Sequence, residues 1–493
     1  MNAPVTTTER SSRAAGRQRR FRRSAVVALV VLAAVVLVAE VLRPADSSSP
    51  RLDPAAATVS LADTTTTWFC AAGTSQPGGA ADETVVIANA AARGGARATV
   101  RVSVVTGTDP QGAPIAPVTR DLRIPAAGEV RIPVSTLVAN ANPGVIVEGR
   151  GSPIVVTHLL RGNGDTAAGP CARGGADHWY FGGGSTVLGS NLMLWLFNPF
   201  AGDAVVDLSF STDAGNEAPN EFQGLVVPGR TRLAVPIESA VRRRTVVAAE
   251  VTARRGRVVA EQTQSLDGRD GRKGLALVAG APAVATSWWF DGGVARSDRT
   301  TTLTIANPGD ETQRVRIETA LAGVVTVEPV EVDVPPLGVT LVDAGARVPA
   351  DTAYALHITS TGGAGVVGYE LTAVRGISAL AGDGGTTFTS GRWYVVPGRV
   401  GTNPVDAVTV YAVGSGARRW RVDAVGASAH RVIAGRLGAG EVVRAPTDAV
   451  GSIVVSADGP IVVGRDSGAS PGVTLAIAVP LCPSPTGRGG SAC

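Results

Sequence analysis

From residue 64 onward, apolar and polar residues alternate in short runs that never adopt a helical period. Thr84-Val85-Val86-Ile87-Ala88-Asn89, Leu192-Met193-Leu194-Trp195-Leu196-Phe197-Asn198 and Leu303-Thr304-Ile305-Ala306-Asn307 each read as a strand that ends in a turn. Asn-Pro followed by Gly or Asp, as after Asn307, is turn chemistry. The segments that return from those turns, such as Val100-Arg101-Val102 and Val315-Arg316-Ile317, alternate with a period of two and predict half-buried strands. A Pro-Gly corner follows in Ile124-Pro125 to Gly128, Val227-Pro228-Gly229 and Val334-Pro335-Pro336-Leu337-Gly338. Val145-Ile146-Val147 with Val155-Val156, and the matching pairs at Val246-Val247/Val258-Val259, Ala355-Leu356-His357-Ile358/Val366-Val367 and Ile453-Val454-Val455/Val462-Val463, predict a closing hairpin. The tally is about seven strands per unit, all β.

Those units repeat. Trp68-Phe69-Cys70, Trp179-Tyr180-Phe181, Trp288-Trp289-Phe290 and Trp393-Tyr394-Val395 stand 111, 109 and 105 residues apart. Asn89, Asn198 and Asn307 share a step of 109. Two landmarks with one period indicate a tandem array. The expected repeats are 64–173, 174–283, 284–389 and 390–482, each near the size of an immunoglobulin-like β-sandwich. The alternative is an eight-bladed propeller, with two blades to a repeat. Repeat four keeps Val408-Thr409-Val410-Tyr411-Ala412 but lacks the Asn, and its Pro-Gly corner degrades to Leu437-Gly438-Ala439-Gly440.

The ends add a topology. Residues 1–23 carry seven Arg against Glu9, and Ala25 to Ala39 is unbroken Ala, Val and Leu. With Ser24 and Glu40-Val41-Leu42 the span 24–42, centred on Ala25, Leu32 and Val38, predicts a single transmembrane anchor. Leu37 stands where a signal-peptide cleavage site wants a small residue, which favours an uncleaved anchor over a signal peptide. The Arg cluster holds the N-terminus in the cytoplasm and sends the repeats outside. Residues 43–63 read as a Pro/Ser/Thr-rich linker, and 483–493 as a C-terminal tail. Of the formal charge of +4, the 1–23 segment contributes +6 and the remainder −2, so the remainder is close to neutral and nucleic acid is not an expected partner. One Lys, Lys273, among 45 basic residues suggests a GC-rich bacterial genome.

Candidate chemistry is sparse. Cys70 and Cys171 bracket repeat one, so a bridge between them is the expected pairing; Cys482 and Cys493 then either close a small loop or remain free. The four His, at 158, 178, 357 and 430, are scattered and no CxxC occurs, so no metal site is expected. A Trp at one fixed repeat position reads as a packing residue. The second aromatics, Phe69, Tyr180, Trp289 and Tyr394, should face the other way and are the candidate ligand contacts. Glu261 and Glu370, with His158 and Arg465 at related places, stand one to a repeat, which argues against a catalytic carboxylate pair. The run Asp267-Gly268-Arg269-Asp270-Gly271-Arg272-Lys273 reads as an exposed loop. Nucleophile-elbow, zincin, P-loop and dinucleotide motifs do not occur, so no catalytic residue and no cofactor is expected.

With its Arg tail, one anchor, Trp68-Phe69-Cys70, Trp179-Tyr180-Phe181, Asn198-Pro199 and Asn307-Pro308, the chain resembles an uncharacterised actinobacterial family of membrane-anchored secreted proteins, a domain of unknown function. Members of that family tend to be encoded beside a membrane glycosyltransferase. The resemblance implies a cell-envelope role and brings no catalytic residues. The expected function is a non-catalytic scaffold or accessory protein for a membrane enzyme of envelope polysaccharide assembly. The alternative is a module that binds cell-wall glycan.

Overall fold

The computed structural model describes residues 57–482 apart from 110, 112–114, 324–326, 396–404, 426–432, 448–450 and 469–472. The tail 1–23, the anchor segment 24–42, most of the linker and the tail 483–493 lie outside the described residues. Among the described residues no helix is long and apolar enough to cross a membrane.

The described chain is all-β, in several separate sheets. Repeat one shows the pattern. Thr65–Cys70, Gly144–Arg150, Ala98–Val105 and Val118–Ile124 form one four-stranded sheet, in that spatial order. Glu129–Pro133, Asp82–Asn89, Ile154–Gly162 and Asp165–Pro170 form the other. That makes eight strands, because the short strand Asp165–Pro170 is too rich in small residues to show an alternating pattern. Repeats two and three reproduce both sheets. In repeat four the two sheets fuse, because Ile453–Gly468 runs unbroken from one to the other.

The expected closing hairpin is a correction. Gly144–Arg150 and Ile154–Gly162 do not pair with each other; each belongs to a different sheet. Both strands are apolar on the face that meets the core, so the chain arches over and stacks them instead of zipping them edge to edge. The Asn turn is a second arch. Asn89 Nδ2 donates to the carbonyls of Ala96 (2.9 Å) and Ile124 (3.2 Å), and its Oδ1 accepts from Ala91 N and Ser152 Oγ. Asn198 and Asn307 tie their corners the same way. Ala412 takes this place in repeat four, where Arg418 reaches back to the Val413 carbonyl.

Between the sheets lies the Trp. Trp68, Trp179, Trp288 and Trp393 are at most 1% exposed. Each indole donates to a carbonyl of the facing strand, Ile154 (3.1 Å), Val258 (2.7 Å), Val366 (2.8 Å) and Ile461 (2.9 Å). An aromatic of this size truncated to Ala costs about 3–5 kcal/mol. The return strands keep their expected alternation, as in the buried-intermediate pattern of Ala204–Thr212.

The repeats within Asp53–Cys493, one compact unit, close on themselves. Lys273–Ala279 of repeat two lies between Asp165–Pro170 of repeat one and Leu380–Asp383 of repeat three; Val473–Ile477 of repeat four touches both Leu380–Asp383 and Asp165–Pro170. The fully buried Asp165 accepts from Leu275 N (3.2 Å) and Leu380 N (2.8 Å), so one carboxylate joins three repeats. The fourth seam is clasped by backbone. Val59–Ser60 pairs in parallel with Val479–Cys482, and Val59, Tyr394, Val454, Val479 and Leu481 share the core of repeat one. Residues 57–61, which composition assigns to the linker, are therefore part of the fold, and Val59 is fully buried.

Candidate functional site

The carbonyl that receives each Trp gives a common origin for the four repeats. Four residues after it come His158, Gln262, Glu370 and Arg465, all at most 2% exposed. Three residues after it come Thr157, Glu261, Tyr369 and Gly464. Glu261 and Glu370 thus occupy adjacent positions, not equivalent ones, and face opposite ways. The three-residue position meets the loop that leaves the Trp strand of the preceding repeat. Glu261 faces Ala71 and Ala72, Tyr369 faces Gly182 and Gly183, and Gly464 faces Asp291. A large side chain on one side meets a small residue on the other. At Gly182 a Cβ would come within 2.8 Å of the Gly368 backbone, so the close approach needs glycine.

The seam between repeats one and two is a buried polar clamp. Glu261 Oε2 accepts from Ala71 N (3.0 Å) and Ala72 N (2.6 Å) and lies 3.4 Å from His158 Nε2. His158 Nδ1 meets Glu83 Oε1 at 3.0 Å. Arg232 crosses the same seam, donating to the carbonyls of Ala71 (2.8 Å) and Ala141 (3.0 Å), with its guanidinium 4.4 Å from the centre of the Trp195 ring. Burial works against charge on His158, but Glu261 and Glu83 outweigh it and raise its pKa. Burial also raises Glu261, partly offset by His158 and the Ala72 amide. Burial lowers Arg232 to about 10. A Glu-His-Glu set has the groups for proton transfer. Here every member is at most 2% exposed, so the set has no route to a substrate and ties two repeats together. Sequence reading named Glu261 and His158 and passed over Glu83 and Arg232. Their place near strand ends carries no signal that they would be drawn inside.

The second aromatics all face the next repeat. Phe69 packs 6.5 Å from Phe197 and 6.3 Å from Phe200, and Tyr394 is fully buried with its hydroxyl on Ser452 Oγ. Both are out of reach of a ligand, which corrects their assignment as contacts. Tyr180 and Trp289 are half-buried. Tyr180 packs with Ala248, Ala306 and Val367, and burial raises its pKa to about 12. Trp289 stacks on His357 at 3.6 Å, leans on Tyr411 of repeat four at 5.1 Å, and lines a cleft with Arg316, Glu318 and Glu441. His357 Nδ1 lies 3.1 Å from Glu318, yet burial lowers its pKa.

Cys70 and Cys171 form a disulfide. Cys482 is also disulfide-bonded; Cys493 lies outside the described residues. The Cys70 and Cys171 sulfurs approach His158, the one such group of potential metal ligands among the described residues, but a disulfide presents no thiolate. Asp267 to Lys273 forms an exposed turn between two strands, with local pairs Arg269–Asp267 and Arg272–Asp270. On the axis, a small pocket is lined by segments from all four repeats, including Gly169, Gly280, Asp383 and Val479.

Residues 155–283 match the model of a protein family described as "Family of unknown function (DUF5719)". The match runs from the end of repeat one through repeat two, so the chain contains an uncharacterised domain. No curated protein matches the chain. Among solved structures it is similar to one titled "Crystal Structure of Thermotoga maritima 1070", at 23% identity over 21% of this chain and 93% of that one, with a TM-score of 0.19.

Proposed function

We propose that this protein is a non-catalytic, membrane-anchored scaffold or accessory protein of the cell envelope, serving a membrane enzyme of polysaccharide assembly. One observation carries the reading. The polar groups most able to do chemistry, Glu83, His158, Glu261 and Arg232, are buried and committed to holding repeats together. What remains for other molecules is the surface of the array with its clefts. The anchor at 24–42, the cytoplasmic N-terminus and the extracytoplasmic repeats belong to the same proposal, as does the partner, a membrane glycosyltransferase or another envelope-assembly protein. So does the finer name of the fold: sandwiches of immunoglobulin-like size, set in a ring so that successive sheets also stack in the manner of an eight-bladed propeller.

Purification of the full-length protein from native membranes in mild detergent, followed by mass spectrometry, tests the scaffold reading. A stoichiometric envelope enzyme supports it, and a protein that purifies alone sinks it. The second reading, a module for cell-wall polysaccharide, is favoured by the cleft at Trp289, where an aromatic edge stands beside Arg316 and Glu318. Retention on purified cell wall that Trp289→Ala abolishes would select it over the scaffold.

A further inference from the structure

The disulfide of repeat one and the polar clamp of the first seam meet at one corner. Cys70 ends the strand Thr65–Cys70, and Cys171 stands at the far end of the same repeat. Backbone holds both in place independently of the bridge. Their chain neighbours Phe69 and Ala172 exchange hydrogen bonds of 2.8 and 2.9 Å, and Cys171 N donates to the Val156 carbonyl at 3.1 Å. His158 follows Val156 by two residues on Ile154–Gly162. One ligand atom from each of Cys70, Cys171 and His158 lies within 4.8 Å of the other two, and all three residues are fully buried. A second observation points into this corner. His158 Nδ1 is held by Glu83 Oε1 at 3.0 Å, whereas the buried Nε2 has no hydrogen-bond partner. Its neighbour Glu261 Oε2, at 3.4 Å, is already shared by the amides of Ala71 and Ala72. A buried polar atom left this way calls for an explanation, and an absent ion is one.

We propose that this corner is a redox-gated zinc site: once a dithiol reduces the Cys70–Cys171 bridge, the two thiolates and His158 Nε2 bind one zinc ion. The dithiol gives up two electrons and two protons and becomes a disulfide itself, which leaves two thiols on this chain. Zinc then displaces both thiol protons to solvent, with any proton on Nε2, and forms two Zn–S bonds and one Zn–N bond. Two thiolates and an imidazole are a donor set that suits zinc and disfavours calcium and magnesium. Tetrahedral zinc sets its sulfurs about 3.8 Å apart and each sulfur about 3.5 Å from a ligating nitrogen. Rotation of the freed cysteine side chains reaches those separations from the present spacing. Water takes the fourth position. Glu83 on Nδ1 fixes the tautomer that leaves Nε2 free to ligate, the arrangement usual behind a zinc-bound histidine. By coordination the ion does what the bridge does covalently, holding the two ends of repeat one together. Oxidation ejects it, because a disulfide offers no thiolate.

The test uses the full chain with Cys482→Ser and Cys493→Ser, so that Cys70 and Cys171 are its only cysteines. It is reduced with a phosphine in urea under argon, freed of reductant and refolded with or without metal. Cobalt(II) is the spectroscopic probe. The reduced chain should take up one cobalt, with the sulfur-to-metal charge-transfer band and intense visible bands of a tetrahedral thiolate site, and zinc should bleach both. Zinc should raise the Tm of the reduced chain by at least ~3 °C and leave that of the oxidised chain unchanged, because an ion bound only by the folded chain adds to its stability. His158→Gln should weaken zinc binding by at least ~10-fold, and His158→Cys, which restores a ligand, should recover it. Should His158→Gln fail to fold, the contrast between reduced and oxidised parent chains and the cobalt spectrum still decide. A reduced chain without the thiolate bands, a Tm that zinc leaves unchanged, equal zinc uptake by the oxidised chain, or full affinity in a folded His158→Gln each overturns the assignment.

Discussion

Glu261 is the residue through which the first seam is best tested. Glu261→Ala removes the acceptor of two buried amides, Ala71 N and Ala72 N, and the partner of His158. Each orphaned amide costs about 1–3 kcal/mol. Breaking one side of a buried charge set costs about 3–5 kcal/mol, and the two figures describe overlapping losses. The expected loss is therefore about 3–5 kcal/mol in all. Glu261→Gln keeps an oxygen for the amides and loses the charge, so about 1–2 kcal/mol is expected. Urea unfolding with the disulfides intact gives the stability, and hydrogen exchange at Ala71 and Ala72 shows whether the loss is local to the seam. The loop amides should exchange faster in Glu261→Ala and stay protected in Glu261→Gln. Equal losses in both variants would mean that charge, not amide acceptance, holds the seam. Losses under about 0.5 kcal/mol in both would refute the clamp altogether.

Three further outcomes follow from the same geometry. The Cys70–Cys171 bridge closes a span of 101 residues, so replacing both with Ala should lower stability by about 3–5 kcal/mol in urea unfolding; an unchanged midpoint would count against a structural bridge. His158 and Glu261 both hold protons more tightly folded than unfolded, so their contribution is whole below their ordinary pKa values and is lost as pH rises through the raised ones. Unfolding free energy should accordingly fall as pH rises above the ordinary glutamate and histidine ranges, and His158→Gln should flatten that fall; an unaltered slope would be evidence against the coupling. Truncation before Val479 removes the strand that clasps Val59–Ser60, so amides near Leu61 and in Glu129–Pro133 should lose hydrogen-exchange protection while Trp179 fluorescence in repeat two stays native-like.

The array was legible in the chain because its determinants are local and repeated. A Trp that must donate to a facing carbonyl recurs at one place in all four repeats, and an Asn that must tie an arch and a Pro-Gly corner recur at one place in each of the first three. The Cys70–Cys171 pairing was legible for a related reason, since both residues sit at the ends of one repeat. The face of the second aromatics was legible too, because a strand alternates sides. What covers that face was not: Phe69 and Tyr394 meet partners more than 80 residues away in sequence (Phe197 and Val479), which no local pattern encodes.

Alternation of apolar and polar residues, the shared period and the turn residues thus determine that this protein is all-β and built from repeated units, because strand and turn preferences act over a few neighbouring residues. Tertiary structure alone decides the rest. Val145-Ile146-Val147 and Val155-Val156 look like a hairpin, yet stack in opposite sheets because the Trp core lies between them. Glu83 and Arg232 look like surface residues, yet are buried because a neighbouring repeat covers them. Val59 and Leu481 look like the beginning and end of an open array, yet pair with each other because four repeats turning about one axis bring those ends together. Burial of a polar side chain depends on what arrives from elsewhere in the chain, and that is settled only when the repeats meet.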